Sequence, residues 1–70
     1  MAEAERQYKA ALALDPRIGE AHNNLAVVYL LTDRIDDAQR EVELATRSGF
    51  TVPPGLIRDI QRRKAEPKKP

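Results

Sequence analysis

His22 is the only imidazole in a chain of 70 residues that contains no cysteine. Imidazole is the side chain best suited to proton transfer near neutral pH, but catalysis needs a positioned partner, a nucleophile or a metal beside it. The sequence offers no cysteine nucleophile and no glycine-rich phosphate loop. One histidine does not supply the three or four ligands of a zinc site. The remaining concentration of chemistry is acidic: Asp33, Asp36 and Asp37. A calcium loop needs several oxygen ligands at regular spacing, usually with a glycine for the turn, and this stretch has neither. Its simpler reading is a turn followed by a helix N-terminus, where acids satisfy free N–H groups. We therefore expect no catalytic residue, no cofactor and no metal ligand, with His22 serving as a packing residue.

Charge narrows the classes further. Residues 1–57 carry six Lys or Arg against nine Asp or Glu, whereas residues 58–70 carry six against two. A basic terminus of this kind can bind nucleic acid or an anionic membrane surface. No aromatic residue lies between Arg58 and Lys69 to stack on bases, and capping of a helix end explains the charges with fewer assumptions. A nucleic-acid or anionic-membrane adaptor role through this basic tail is accordingly the weakest of the readings that the sequence allows. No apolar run is long enough for a membrane span or a signal-peptide core; the absence of cysteine is compatible with any compartment, and the sequence leaves the compartment open with the cytoplasm weakly favoured. A chain this short buries a small share of its surface, and it lacks disulfide and metal staples, which leaves oligomerisation as the remaining aid to stability.

The elements that would position any site are helices. Ala4, Tyr8, Ala11 and Leu12 fall on one stripe of a first helix over 2–14, which Pro16 ends. Ala21, Leu25, Val28 and Tyr29 align on a second over 19–31, and Asp33 and Arg34 make the turn. Ala38, Val42 and Ala45 align on a third over 36–48, which stops at Gly49 as a C-cap. Phe50 to Gly55 reads as extended linker, and a terminal amphipathic helix lies within 53–64 with Leu56, Ile57 and Ile60 on its apolar side. Residues 65–70 read as a disordered basic tail.

Two of these helices are related. Ala38-x-x-x-Val42-x-x-Ala45 repeats Ala4-x-x-x-Tyr8-x-x-Ala11 at an offset of 34 residues, the period of one stacked-helix architecture. Between the copies stands His22-x-x-Leu25-Ala26-x-x-Tyr29. This pattern resembles the tetratricopeptide repeat family. Pro16 closes the first unit as that family usually does, whereas Phe50 after Gly49 stands at the corresponding place in the second and His22 stands where the family most often has Trp. The resemblance implies an all-α helix-hairpin solenoid fragment over residues 1–64. Residues 2–14 form the second helix of a partial repeat, 19–48 a complete repeat, and 53–64 a capping helix. Because the reading enters a repeat halfway, Met1 is expected to be a start residue placed on a segment of a longer array.

What the resemblance implies for function is a non-catalytic protein-interaction module. In this family the concave groove is lined by the first helix of each repeat, which places Glu20, Asn23, Val27, Leu30 and Leu31 toward a peptide or helix partner. Val27 and Leu31 stand where a carboxylate clamp would need polar residues, so an apolar groove is expected. The same residues could equally be covered by a neighbouring chain or by the terminal helix. A second reading makes the chain a self-assembly segment, a homodimer formed through Tyr8, Leu12 and Leu14 on the open flank of the first helix.

Overall fold

The computed structural model describes residues 1–66. Four helices follow in order: α1 (Ala2–Leu14), α2 (Gly19–Leu31), α3 (Ile35–Arg47) and α4 (Pro54–Ala65). α1 stops where Asp15 turns extended and Pro16 removes the next amide donor. The Asp15 carboxylate accepts the backbone N–H of Arg17 at 3.0 Å and holds the turn. α4 begins two residues earlier than its apolar side suggested, because Pro54 sits at a helix start, where its fixed φ suits the helix and its missing N–H costs nothing. Of the tail expected over 65–70, Ala65 closes α4 and Glu66 is its C-cap; residues 67–70 lie outside the described residues.

α2 and α3 are terminated by one device used twice. After α2, Asp33 takes a left-handed φ of 63°, its N–H donates to the Leu30 carbonyl, and the Arg34 N–H donates to the Tyr29 carbonyl at 2.8 Å. After α3, Gly49 takes φ 92°, its N–H donates to the Thr46 carbonyl, and the Phe50 N–H donates to the Ala45 carbonyl at 3.1 Å. These paired bonds satisfy carbonyls that the helix end leaves open. Short acidic side chains tolerate the left-handed region better than most, which lets Asp33 serve without a glycine.

α2 is the core of the molecule. Ala21, His22, Leu25, Ala26, Val28, Tyr29 and Leu30 are all buried on it. α3 lies against it with Ala38 and Ala45 completely covered, as is Ala26 on α2. Ala11, the fourth small residue expected at a close approach, is only half-buried, since α1 has a helix on one side and contributes no fully buried residue. Tyr8 and Leu12 pack from α1 onto the core cluster of Leu25, Tyr29, Leu30, Ala38 and Ile60. α4 closes the far side of α3, burying Ile60 and half-burying Leu56 and Ile57.

Polar contacts fix how α1 and α4 dock. The Arg34 guanidinium meets both carboxylate oxygens of Glu5, with Nη1 3.1 Å from Oε2. It also lies 4.6 Å from the centre of the Tyr29 ring and donates from Nε to Thr32. Lys9 joins the same carboxylate at 2.8 Å. From the same turn Asp33 pairs with Arg63 of α4, and Lys64 donates to Gln39 of α3.

Gly19 marks a contact that the periodicity does not reveal. A Cβ at this position would overlap Phe50 Cβ and Ser48 Oγ and lie 3.2 Å from Phe50 Cγ. The turn that closes α3 therefore folds back onto the first residue of α2, and an atom so close to the backbone of Phe50 cannot simply rotate away. Alanine is ordinarily better than glycine in a helix by about 1 kcal/mol. Here the sign reverses: Gly19→Ala is expected to destabilise the chain by about 1–3 kcal/mol through overpacking. Gly55→Ala, which enters open space, is expected to raise stability by about 0.4–1 kcal/mol. Thermal unfolding of the two variants beside the wild type tests the contrast, and equal midpoints would remove the Phe50 contact from the account.

Glu5 gives the fold an acid limit. Its hydrogen bond from Arg34, then that from Lys9, lowers its pKa from the ordinary 4.5 to about 2. A depressed carboxylate stabilises fully above its unfolded value, and that stabilisation is lost as the pH falls through the folded value. The contribution of the Glu5–Arg34 contact should thus be complete above about 4.5 and disappear progressively toward about 2. Glu5→Gln is expected to melt lower than wild type at neutral pH, with the gap narrowing across that acid window. A gap that stays constant with pH would show the contact to be energetically silent.

Candidate functional site

A helix that packs on two sides must leave a third face outward, and on α2 that face carries Glu20, Val27 and Leu31 at helical spacing, all exposed. Val27 is 37% exposed and Leu31 61%. Asn23 and Asn24 stand half-buried along the same edge. Leu30, expected on this face, is instead only 8% exposed and belongs to the core cluster. The reason is angular: its next-door neighbour Leu31 is turned about 100° away on a 3.6-residue helix, so the two cannot both face outward. The surface is thus Glu20, Asn23, Val27 and Leu31, apolar at the C-terminal end and polar at the N-terminal end.

One polar group on this edge is incompletely satisfied: the Asn23 side-chain oxygen is buried and has no hydrogen-bond partner among the described residues. Buried amide oxygens in folded proteins are nearly always paired, so an exception beside an exposed apolar stripe is informative.

The residues expected for self-association are separated by the fold. Tyr8 and Leu12 are half-buried against α2, whereas Leu14 projects from the end of α1 at 89% exposure. Leu14 and Leu31 lie at opposite ends of the α1–α2 pair, because the contact of Glu5 with Arg34 sets the start of α1 beside the end of α2.

His22 is buried, as a packing residue should be, but its polar contacts were not anticipated. Its Nδ1 lies 2.7 Å from Glu41 Oε1 on α3, and its Nε2 lies 2.8 Å from the Pro16 carbonyl oxygen. Spacing puts Glu41 on the inward face, since it follows Ala38 by three residues and precedes Ala45 by four, but it does not reveal His22 as its partner. The acidic cluster disperses, with Asp33 turned to Arg63 and Asp36 and Asp37 in the first turn of α3. Among the described residues no group of three His, Asp or Glu side chains is close enough to hold a metal ion, and no helix is long and apolar enough to cross a membrane. Of the basic residues on α4, Arg63 and Lys64 are used against Asp33 and Gln39, and Arg58 and Arg62 face solvent. A small cleft of about 140 Å³ opens between α3 and α4, lined by Val42, Ile57 and Ile60 with Glu43 and Lys64 beside them.

Comparison with known proteins agrees with this architecture. No curated protein and no solved structure matches the chain. The sequence pattern of the family described as tetratricopeptide repeat matches residues 1–51, which spans α1, α2, α3 and the turn that closes α3, and leaves α4 outside. With most of its length matched and its three matched helices stacked as consecutive antiparallel neighbours, the chain belongs to the tetratricopeptide repeat family.

Proposed function

We propose that this chain is a non-catalytic protein-interaction module that receives an extended or helical segment of a partner on the outward face of α2. The observation that carries the reading is the exposure of Val27 and Leu31 on a helix whose other apolar side chains are all buried. Large aliphatic side chains left in water beside a tight core are costly unless something covers them. An amphipathic or apolar segment fits this stripe, with Val27 and Leu31 as the apolar anchors and Asn23 and Glu20 as polar contacts at the other end.

Peptides selected from a displayed random library against the wild-type chain provide the probe. Val27→Glu and Leu31→Glu are each expected to weaken such peptides at least about tenfold, equivalent to about 1.4 kcal/mol, while Arg62→Glu on α4 leaves them unchanged. Peptides indifferent to both α2 variants would place the binding surface elsewhere.

Leu14, the most exposed large apolar side chain of the molecule, favours a second reading in which two copies associate through the end of α1. A two-fold arrangement uses the same patch on both chains and closes. Light scattering across a dilution series should then give a dimer mass that falls on dilution and in Leu14→Glu. Tyr8 and Leu12 are poorer probes because they also hold α1 to the core. A monomer mass at every concentration excludes this second reading without touching the first.

A further inference from the structure

Both ring nitrogens of His22 face acceptors. Glu41 Oε1 stands 2.7 Å from Nδ1, and the Pro16 carbonyl oxygen stands 2.8 Å from Nε2. A neutral imidazole has one N–H and one lone pair, so it can satisfy only one of these oxygens and must turn its lone pair on the other. Two N–H donors exist only on the imidazolium ring. The Glu41 carboxylate points the same way: its side chain is 13% exposed, and His22 is its one ion-pair partner among the described residues. A carboxylate removed this far from water is costly without a counter-charge.

From this geometry we propose that His22 and Glu41 form a proton-dependent latch. His22 in its imidazolium form ties α3, through Glu41, and the α1–α2 turn, through Pro16, to the first turn of α2. Removing one ring proton breaks one of the two bonds and leaves a lone pair against an oxygen. The charged groups of the surrounding elements are few. Glu41 is the one on α3 that reaches the ring. In the α1–α2 turn Asp15 and Arg17 are engaged with each other, and on α2 itself Glu20 is exposed. Among the described residues the ring has no hydrogen-bond partner besides Glu41 and the Pro16 carbonyl. The latch contributes its stability while both ring nitrogens carry hydrogen, and part of that contribution is lost once either proton leaves. This dependence runs opposite in sign to that of Glu5. It does not rest on the binding reading, although the first turn of α2 that it ties down carries Glu20.

The chain suits a direct test, since His22 is its only histidine and it has no cysteine. Nitrogen-15 spectra of the folded wild type should show hydrogen on both Nδ1 and Nε2, and the loss of one should coincide with a fall in the thermal midpoint as the pH is raised. The double variant His22→Phe/Glu41→Leu replaces the pair by apolar side chains of similar bulk, an exchange that is often neutral or stabilising. Its midpoint is expected to be flat over the same range. A ring nitrogen without hydrogen at the acid end of that range would overturn the proposal. So would a wild-type midpoint whose pH dependence matches that of the double variant. The spectra of the wild type decide the matter even if the double variant fails to fold.

Discussion

Three alanines with no exposed surface, Ala26 on α2 and Ala38 and Ala45 on α3, determine how closely two helices can lie. A methyl group is the largest side chain that permits such backbone proximity, and everything else in the molecule is arranged around the pair it creates. With α3 pressed along one side and α1 along another, α2 has its apolar residues consumed by packing over most of its circumference. What remains outward is a narrow stripe. The exposed face of α2 is thus a geometric consequence of burying the rest of it, and Leu30 illustrates the constraint: one position from Leu31, it is a core residue.

The parts of the fold that follow from neighbours in sequence were legible before any coordinate. Helix extents come from Pro16, from Gly49 and from the spacing of apolar residues, and the repeat comes from alanines set 34 residues apart. What periodicity cannot carry is contact between residues far apart along the chain whose types are not apolar. Glu5 with Arg34, His22 with Glu41 and Arg63 with Asp33 are separated by 29, 19 and 30 residues, and each involves side chains common on any solvated helix. Gly19 was overlooked for a different reason. A glycine at a helix start reads as an indifferent cap, and only the return of Phe50 over it gives its missing Cβ a meaning. α4, expected within 53–64, runs from Pro54 to Ala65; of the two consecutive prolines that read as linker, the second suits a first helical position.

Within the candidate site the same division holds. Val27 and Leu31 were assignable from the slot pattern, since an exposed face follows once the buried face is known. Leu30 was not, because the angle between neighbouring residues on a helix separates a surface residue from a core one more finely than a motif position does. The Asn23 amide could not be judged from sequence at all: whether its oxygen finds a donor depends on what the neighbouring helices bring to it.

Polar contacts matter more in this molecule than in a larger one. Ordering a residue costs about 1–2 kcal/mol in backbone entropy, and α1 sets only the half-buried Tyr8 and Leu12, with no fully buried residue, against that cost over its 13 residues. Its attachment is therefore shared between modest apolar contact at its middle and the Glu5, Lys9, Arg34 and Tyr29 group at its start. Such an element belongs to the low-stability end of a fold, the part that opens first. The Arg34 group holds the beginning of α1 while His22, through Pro16, holds the turn that follows its end, so the two polar contacts secure the helix at opposite extremities. A chain that positions its outer helix in this way makes the docking of α1, and with it the border of the exposed α2 stripe, depend on polar contacts at both ends of the helix as well as on the apolar contact of Tyr8 and Leu12 with the core.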